Sequence, residues 1–171
     1  MDEAEFDAFY TGSFARLVGQ LQAMIGDRDE AQECVQEAFV RAWSHRQQLA
    51  RTHAPDAWVR TTAYRLAVSR WRRTLRGRRA PDRALQQQTP VAGPTGDRVA
   101  LMAALTRLPE AQRRVLVLYH VCDLSVLEVA AEVGVPEGTV KARLSRGRAA
   151  LRALLDDGDR PLDLTEGAHH D

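Results

Sequence analysis

Lys141, Arg143, Arg146, Arg148 and Arg152 follow one another at helical spacing with no acid among them. Long basic side chains of this kind can reach guanine O6 and N7 on the floor of a major groove about 12 Å wide, and the phosphates beside it. That chemistry needs a helix to carry them. Val140, Leu144, Leu151 and Leu155 recur at the helical period and supply its inward stripe. Pro136 is predicted to open it, because the missing proline N–H would have had no partner there. A shorter helix is predicted just before. Ser125 and Glu128 have the spacing of a capping box, Val126, Val129, Ala130 and Val133 form one apolar face, and Gly134 supplies a left-handed stop. Two helices joined through Gly134, Pro136 and Gly138 read as a helix-turn-helix whose second helix lies in the major groove. An amphipathic hairpin with a solvated basic face is the competing reading, and it does not need those residues in so short a turn.

A second basic run is of another kind. Between Arg60 and Arg79 there are eight arginines and no acid, interleaved with Tyr64 and Trp71 and preceded by Trp58. At about 100° per residue, Arg65, Arg72, Arg76 and Arg79 share an arc of roughly 60°, with Trp58 on the same side. Arginines track phosphates and flat rings accept unstacked bases, so the combination suits a separated strand. The alternative, core aromatic rings beneath solvated arginines, fits Trp43 better than Trp58 or Tyr64. Pro55 opens the helix carrying this run, with Val59, Thr62, Ala63, Leu66 and Ala67 on its buried side.

Two helices are predicted upstream. Phe6, Tyr10, Phe14, Leu17, Leu21 and Ile25 step along the first, up to Gly26-Asp27; Ala31, Cys34, Val35, Ala38, Phe39, Ala42 and Trp43 step along the second. The first half of that second helix gathers Asp29, Glu30, Glu33, Gln36 and Glu37. Acids near a helix start suit its dipole, which accounts for Asp29 and Glu30 better than for Glu37. The cluster therefore also reads as an exposed docking surface.

At 171 residues the chain suits two small domains better than one. Its formal net charge of +1 conceals strong segregation, since nine acids face two arginines from Met1 to Glu37 and the C-terminal tail is acidic again. A local basic surface attracts phosphate even in a nearly neutral chain. Prolines, glycines and Gln86-Gln87-Gln88 between Ala80 and Asp97 read as a linker. Beyond it, Leu101, Leu105 and Leu108 mark a helix from Arg98 to Pro109, and Val115, Leu118, Tyr119 and Cys122 mark another before the helix-turn-helix. The expected fold is all-α: two small helical domains, residues 1–79 and 98–155, joined by a flexible linker over 80–97 and followed by an acidic tail over 156–171.

Several classes drop out. Cys34 and Cys122 read as buried, reduced thiols without metal-ligand spacing, and His169-His170 in an acidic tail do not read as ligands, so neither metal nor cofactor is expected. No h-region and no run long enough to cross a bilayer is present, which points to the cytoplasm without membrane insertion. No nucleophile and base pair or phosphate loop emerges, so the chain does not read as an enzyme.

The order of these segments resembles a known family. Asp29-Glu30-Ala-Gln-Glu-Cys-Val-Gln-Glu-Ala-Phe39, Pro55-Asp-Ala-Trp-Val-Arg60 running into the arginine block, Leu108-Pro-Glu-Ala-Gln-Arg113, and Val135-Pro-Glu-Gly-Thr-Val-Lys-Ala-Arg-Leu-Ser-Arg146 are similar to the extracytoplasmic-function (ECF) sigma factors of the sigma-70 family. The resemblance runs from Phe6 to about Leu155. It implies a promoter-specific initiation factor whose partners are core RNA polymerase, promoter DNA and, in some members, an anti-sigma factor. On the matching positions, Asp29, Glu33, Gln36 and Glu37 would dock on the polymerase. Trp58, Arg60, Thr61, Tyr64, Arg65, Arg72, Arg73 and Arg76 would read and hold the opened −10 element. Thr139, Lys141, Ala142, Arg143, Ser145, Arg146 and Arg148 would serve the −35 duplex. Arg65 and Ser69 stand where many members carry asparagine and aspartate, and Gln32 where an acid is frequent, which leaves the −10 base preference unassigned. An ordinary helix-turn-helix regulator would instead bind two-fold operators unaided, and a helical adaptor would explain neither basic run.

Overall fold

The computed structural model describes residues 1–77 and 96–158, in which there are eight helices and no strand. Arg79, nearly all of the expected linker, and the tail beyond residue 158 with His169 and His170 lie outside the described residues. Helix α1 (Glu3–Ile25) starts at a capping box, with Glu5 N–H donating to Asp2 and Asp2 N–H to Glu5, both at 2.8 Å. It stops at Gly26, whose φ of 81° is the left-handed conformation a side chain would strain. Asp27 then caps α2 (Arg28–Ser44) by accepting from Glu30 N–H at 2.9 Å. A one-turn helix, α3 (Arg46–Leu49), follows, and α4 (Pro55–Gly77) opens at the predicted proline.

Leu17, Leu21 and Met24 of α1, Cys34, Val35 and Ala38 of α2, and Val59 and Ala63 of α4 are buried together. Aromatic rings close one end of this core, with Phe6, Phe9, Tyr10 and Phe14 gathered around Phe39. Trp43, expected inside, sits at the rim. It meets Phe6 edge-on at 5.1 Å, is partly exposed, and carries the Arg46 guanidinium 4.3 Å over its ring.

Four helices make the C-terminal half: α5 (Gly96–Arg107), α6 (Glu110–His120), α7 (Val126–Val133) and α8 (Glu137–Gly158). The α7 capping box forms as the spacing requires, Glu128 N–H donating to Ser125 Oγ at 3.2 Å and Ser125 N–H to Glu128 at 2.8 Å. Gly134 ends α7 with φ 73°. Pro136 stands just before α8 and its carbonyl accepts from the N–H groups of Thr139 and Val140. Val115, Leu116, Val117, Leu118, Val129, Val140 and Leu144 are buried, whereas Leu155, the last residue of the predicted stripe, is exposed. Where α8 crosses α6, a Cβ on Gly147 would lie 2.9 Å from the Leu116 side chain, so glycine permits the close approach.

The two halves pack on each other. Helices α5 and α6 lie against α1, and buried side chains from both halves belong to one apolar cluster. Helix α1 is accordingly buried beyond its predicted stripe, at Val18, Gln20 and Ala23. The two helical domains thus lie against each other in this structure.

Candidate nucleic-acid interface

Burial of Val140, Leu144 and Gly147 turns one side of α8 inward, which leaves Lys141, Ser145 and Arg146 exposed opposite, with Arg152 two turns further on. Ala142 lies half-buried among them and Thr139 is half-buried in the first turn. Arg148 is exposed but tethered. Its Nε donates to His120 Nε2 at 3.2 Å and its guanidinium lies 5.3 Å over the Tyr119 ring. Burial and the Arg148 charge both lower the His120 pKa, which favours the neutral ring able to accept that hydrogen bond. Arg143 is half-buried and points elsewhere, lining a cavity with Tyr64, Glu110, Ala111, Arg114 and Val133 at the seam between the halves.

Helix α4 has three working sides. Val59, Ala63, Leu66 and Ala67 pack inward. A second side is covered by the C-terminal half. Arg60, expected on the strand-holding surface, is 4% exposed and donates from Nε and Nη2 to both Glu132 oxygens at 2.9 and 2.7 Å, with Nη1 3.4 Å from Gln20 Oε1. Burial disfavours its charge, yet the Glu132 hydrogen bonds outweigh burial and raise its pKa. Tyr64 is also withdrawn from the surface. Its hydroxyl donates to Glu110, the Arg114 guanidinium lies 3.9 Å over its ring, and burial followed by the Glu110 bond pushes its pKa up to about 12.

The third side remains open. Arg65, Ser69, Arg72, Arg73 and Arg76 are exposed and line a groove whose far wall is Arg114, Glu132 and Val133 of α6 and α7. None of those four arginines forms an ion pair with a described residue. Thr61 is half-buried, and Trp58, one turn nearer the helix start, is half-buried beside His45 with ring centres 5.6 Å apart. The structure therefore brings Arg65, Arg72, Arg73 and Arg76 together with Tyr64, which also lines the groove, and sets Arg60 apart from them in its pair with Glu132.

On α2, Asp29, Glu33 and Gln36 are exposed. Glu33 and Glu37 also serve the fold. Arg70 of α4 reaches Glu37 at 2.7 Å, Glu33 at 3.0 Å and Glu30 at 3.4 Å, and Arg41 adds a second contact to Glu37 at 2.5 Å. Arg70 first and Arg41 second hold the Glu37 carboxyl below its usual range. Val40, 66% exposed, continues this face one turn beyond Gln36.

Sequence reasoning missed Arg70 as a structural partner, although its position one turn after Ala67 and two after Ala63 places it on the inward side of α4. Glu110, Arg114 and Glu132 gave no local signal, since their partners are far away in the chain. Cys34 and Cys122 are free; Cys34 is buried and Cys122 half-buried, and burial pushes their thiols up to about 12 and about 11. Among the described residues no group of acids, histidines and cysteines could hold a metal, and no helix is long and apolar enough to cross a membrane.

Comparison with known proteins bears on these surfaces. Residues 11–77 match the family model for sigma-70 region 2, and residues 98–151 match that for sigma-70, region 4. The ECF RNA polymerase sigma factor SigL of Mycobacterium tuberculosis (strain ATCC 25618 / H37Rv) is 31% identical over 157 residues, covering 88% of each chain. The corresponding SigW of Bacillus subtilis (strain 168) is 30% identical over 156 residues, 78% of this chain and 80% of its own. Among solved structures, the sigma factor RpoE of Bartonella quintana, in complex with the anti-sigma factor NepR, has 25% identity and a TM-score of 0.75, covering 91% of this chain and 99% of that one.

Proposed function

The chain belongs to the ECF sigma factors of the sigma-70 family, a transcription initiation factor that binds core RNA polymerase and directs it to promoters through −10 and −35 elements, and we propose how its residues divide that work. Residues 1–79 form the unit that docks on polymerase and holds the opened −10 element; residues 98–155 form the unit that reads the −35 duplex. Asp29, Glu33, Gln36 and Glu37 make the docking surface. Lys141, Ser145 and Arg146 approach base edges in the major groove, with Ala142 allowing the helix close to the floor. Thr139, Arg143 and Arg148 anchor the duplex backbone or pack beneath it. Arg65, Arg72, Arg73 and Arg76 hold the displaced strand, with Tyr64 in the same groove, Trp58 at the end of the same side and Thr61 at its edge; Arg60 belongs to the same strand-holding set.

One observation carries this division: two exposed basic surfaces of different shape, a convex helix face on α8 and an arginine groove on α4. A convex helix suits a duplex groove, whereas a groove lined with arginines suits a flexible strand. The factor itself catalyses no reaction and acts in the cytoplasm with polymerase. A third partner is proposed from RpoE, which was solved with an anti-sigma factor. Reconstituted transcription on random promoter fragments tests the whole reading. Purified chain plus core polymerase should give transcripts starting downstream of shared −35 and −10 sequences, and the same starts from core polymerase alone would overturn it.

A further inference from the structure

Arg148 stands at the flank of α8, at about 100° per residue roughly 40° from the buried Leu144 and roughly 60° from the exposed Ser145. An arginine there can fold against its own domain or swing into solvent, and two residues at the end of α6 decide between these. A Cβ on Gly147 would lie 2.9 Å from the Leu116 side chain, so α6 and α8 approach closely there, and His120, one turn after Leu116, comes within reach of Arg148. His120 Nε2 accepts from Arg148 Nε at 3.2 Å. The Tyr119 ring lies 5.3 Å from the guanidinium and stands edge-on to His120, with ring centres 4.9 Å apart. A ring nitrogen that accepts carries no proton, so His120 is neutral with its hydrogen on Nδ1. Burial first and the Arg148 charge second lower its pKa, which favours that form. The bond takes up Nε alone. Arg148 is exposed and pairs with no acid among the described residues, so its two terminal nitrogens remain uncommitted.

We propose that His120 is a positioning residue for the −35 duplex: it accepts from Arg148 Nε, holds the guanidinium beside Tyr119, and leaves Nη1 and Nη2 to meet one phosphate at the edge of the major groove. The proposal rests on the assignment of α8 to that duplex. A phosphate accepts from paired guanidinium N–H groups, and a long side chain must give up its rotamer freedom to supply them. An arginine already fixed by its own domain has less to lose. His120 therefore lowers the cost of ordering Arg148 and brings no charge to the DNA itself. Its contribution passes entirely through Arg148 and vanishes when that guanidinium is removed. Because a phosphate contact carries no sequence information, the contribution is the same on every duplex.

The full chain is titrated with a labelled −35 duplex and with a scrambled one over a range of salt. Arg148→Ala should weaken both about ten-fold, the value of one charge-assisted hydrogen bond, and reduce the steepness of the salt dependence by about 0.9. His120→Leu removes the acceptor and should weaken both about three-fold. His120→Gln, whose amide oxygen falls near the place of Nε2, should bind as wild type does. In the Arg148→Ala background, His120→Leu should cost nothing further. If His120→Leu lowers the helical circular dichroism, His120→Asn, whose amide is too short to reach Arg148, takes its place in both backgrounds. Equal losses from the histidine substitution with and without Arg148, or a glutamine variant as weak as the leucine one, overturn the proposal. If Arg148→Ala weakens both duplexes and the histidine substitution weakens neither, positioning is refuted and the phosphate contact stands. If Arg148→Ala changes neither affinity nor salt dependence, Arg148 meets no phosphate, and the proposal falls with that part of the −35 assignment.

Discussion

Arg146 and Arg148 lie two residues apart on α8 and are set up for different contacts. Arg146 is exposed and free to extend, whereas Arg148 is held by His120 and stacked on Tyr119. A tethered guanidinium keeps a fixed height on the domain surface and suits a phosphate; a free one can follow a base edge. Arg146→Ala should therefore weaken the −35 duplex by about 1–3 kcal/mol and relax preference at one base pair, with Lys141→Ala acting on a neighbouring pair. Arg148→Ala should weaken specific and scrambled duplexes alike. Competition titrations with both duplexes check this, and equal losses on the two for Arg146→Ala would reduce it to a phosphate contact. The basic character of α8 could be read from Lys141 to Arg152. The tether on Arg148 could not, because His120 is 28 residues away in the chain.

Helix α2 carries two kinds of acid that composition alone does not separate. Asp29 and Gln36 are exposed and outside the Arg70 cluster, while Glu37 is shared by Arg70 and Arg41 and fastens α2 to α4. Asp29→Lys with Gln36→Lys should abolish core polymerase binding and leave the melting temperature near that of wild type. Glu37→Lys should reduce both, because it also sets a like charge against Arg70. Polymerase titration beside thermal unfolding distinguishes them, and full binding by the Asp29 and Gln36 variant would return the acids of α2 to a purely structural and dipolar role. The α2 stripe and the α7 capping box were legible because they depend on residues three or four apart. Arg70 was partly legible, since its helical phase points inward, but an arginine at an inward position reads as part of the basic run until the acids opposite it are placed.

At the scale of the molecule, every long helix was foreseen from its period and caps, and the closed packing of the halves was not. It depends on α5 and α6 covering a side of α1, and on Glu110 and Glu132 meeting Tyr64 and Arg60 across 46 and 72 residues. No local pattern encodes such pairings. The same packing leaves Arg72 and Arg76 exposed on the groove side of α4. Arg72→Ala with Arg76→Ala should impair promoter opening more than closed-complex formation, because the −35 contacts on α8 are untouched. The defect in the wild-type comparison should shrink as salt rises, since phosphate neutralisation acts through counterion release that high salt diminishes. A pre-melted bubble removes the cost of separating the duplex and should restore part of the activity, while the weaker grip on the strand persists. Permanganate reactivity of unpaired thymines on duplex and pre-melted templates measures both effects. Wild-type opening of the duplex promoter by the double variant would mean that this side of α4 is a solvated surface and that strand holding lies elsewhere.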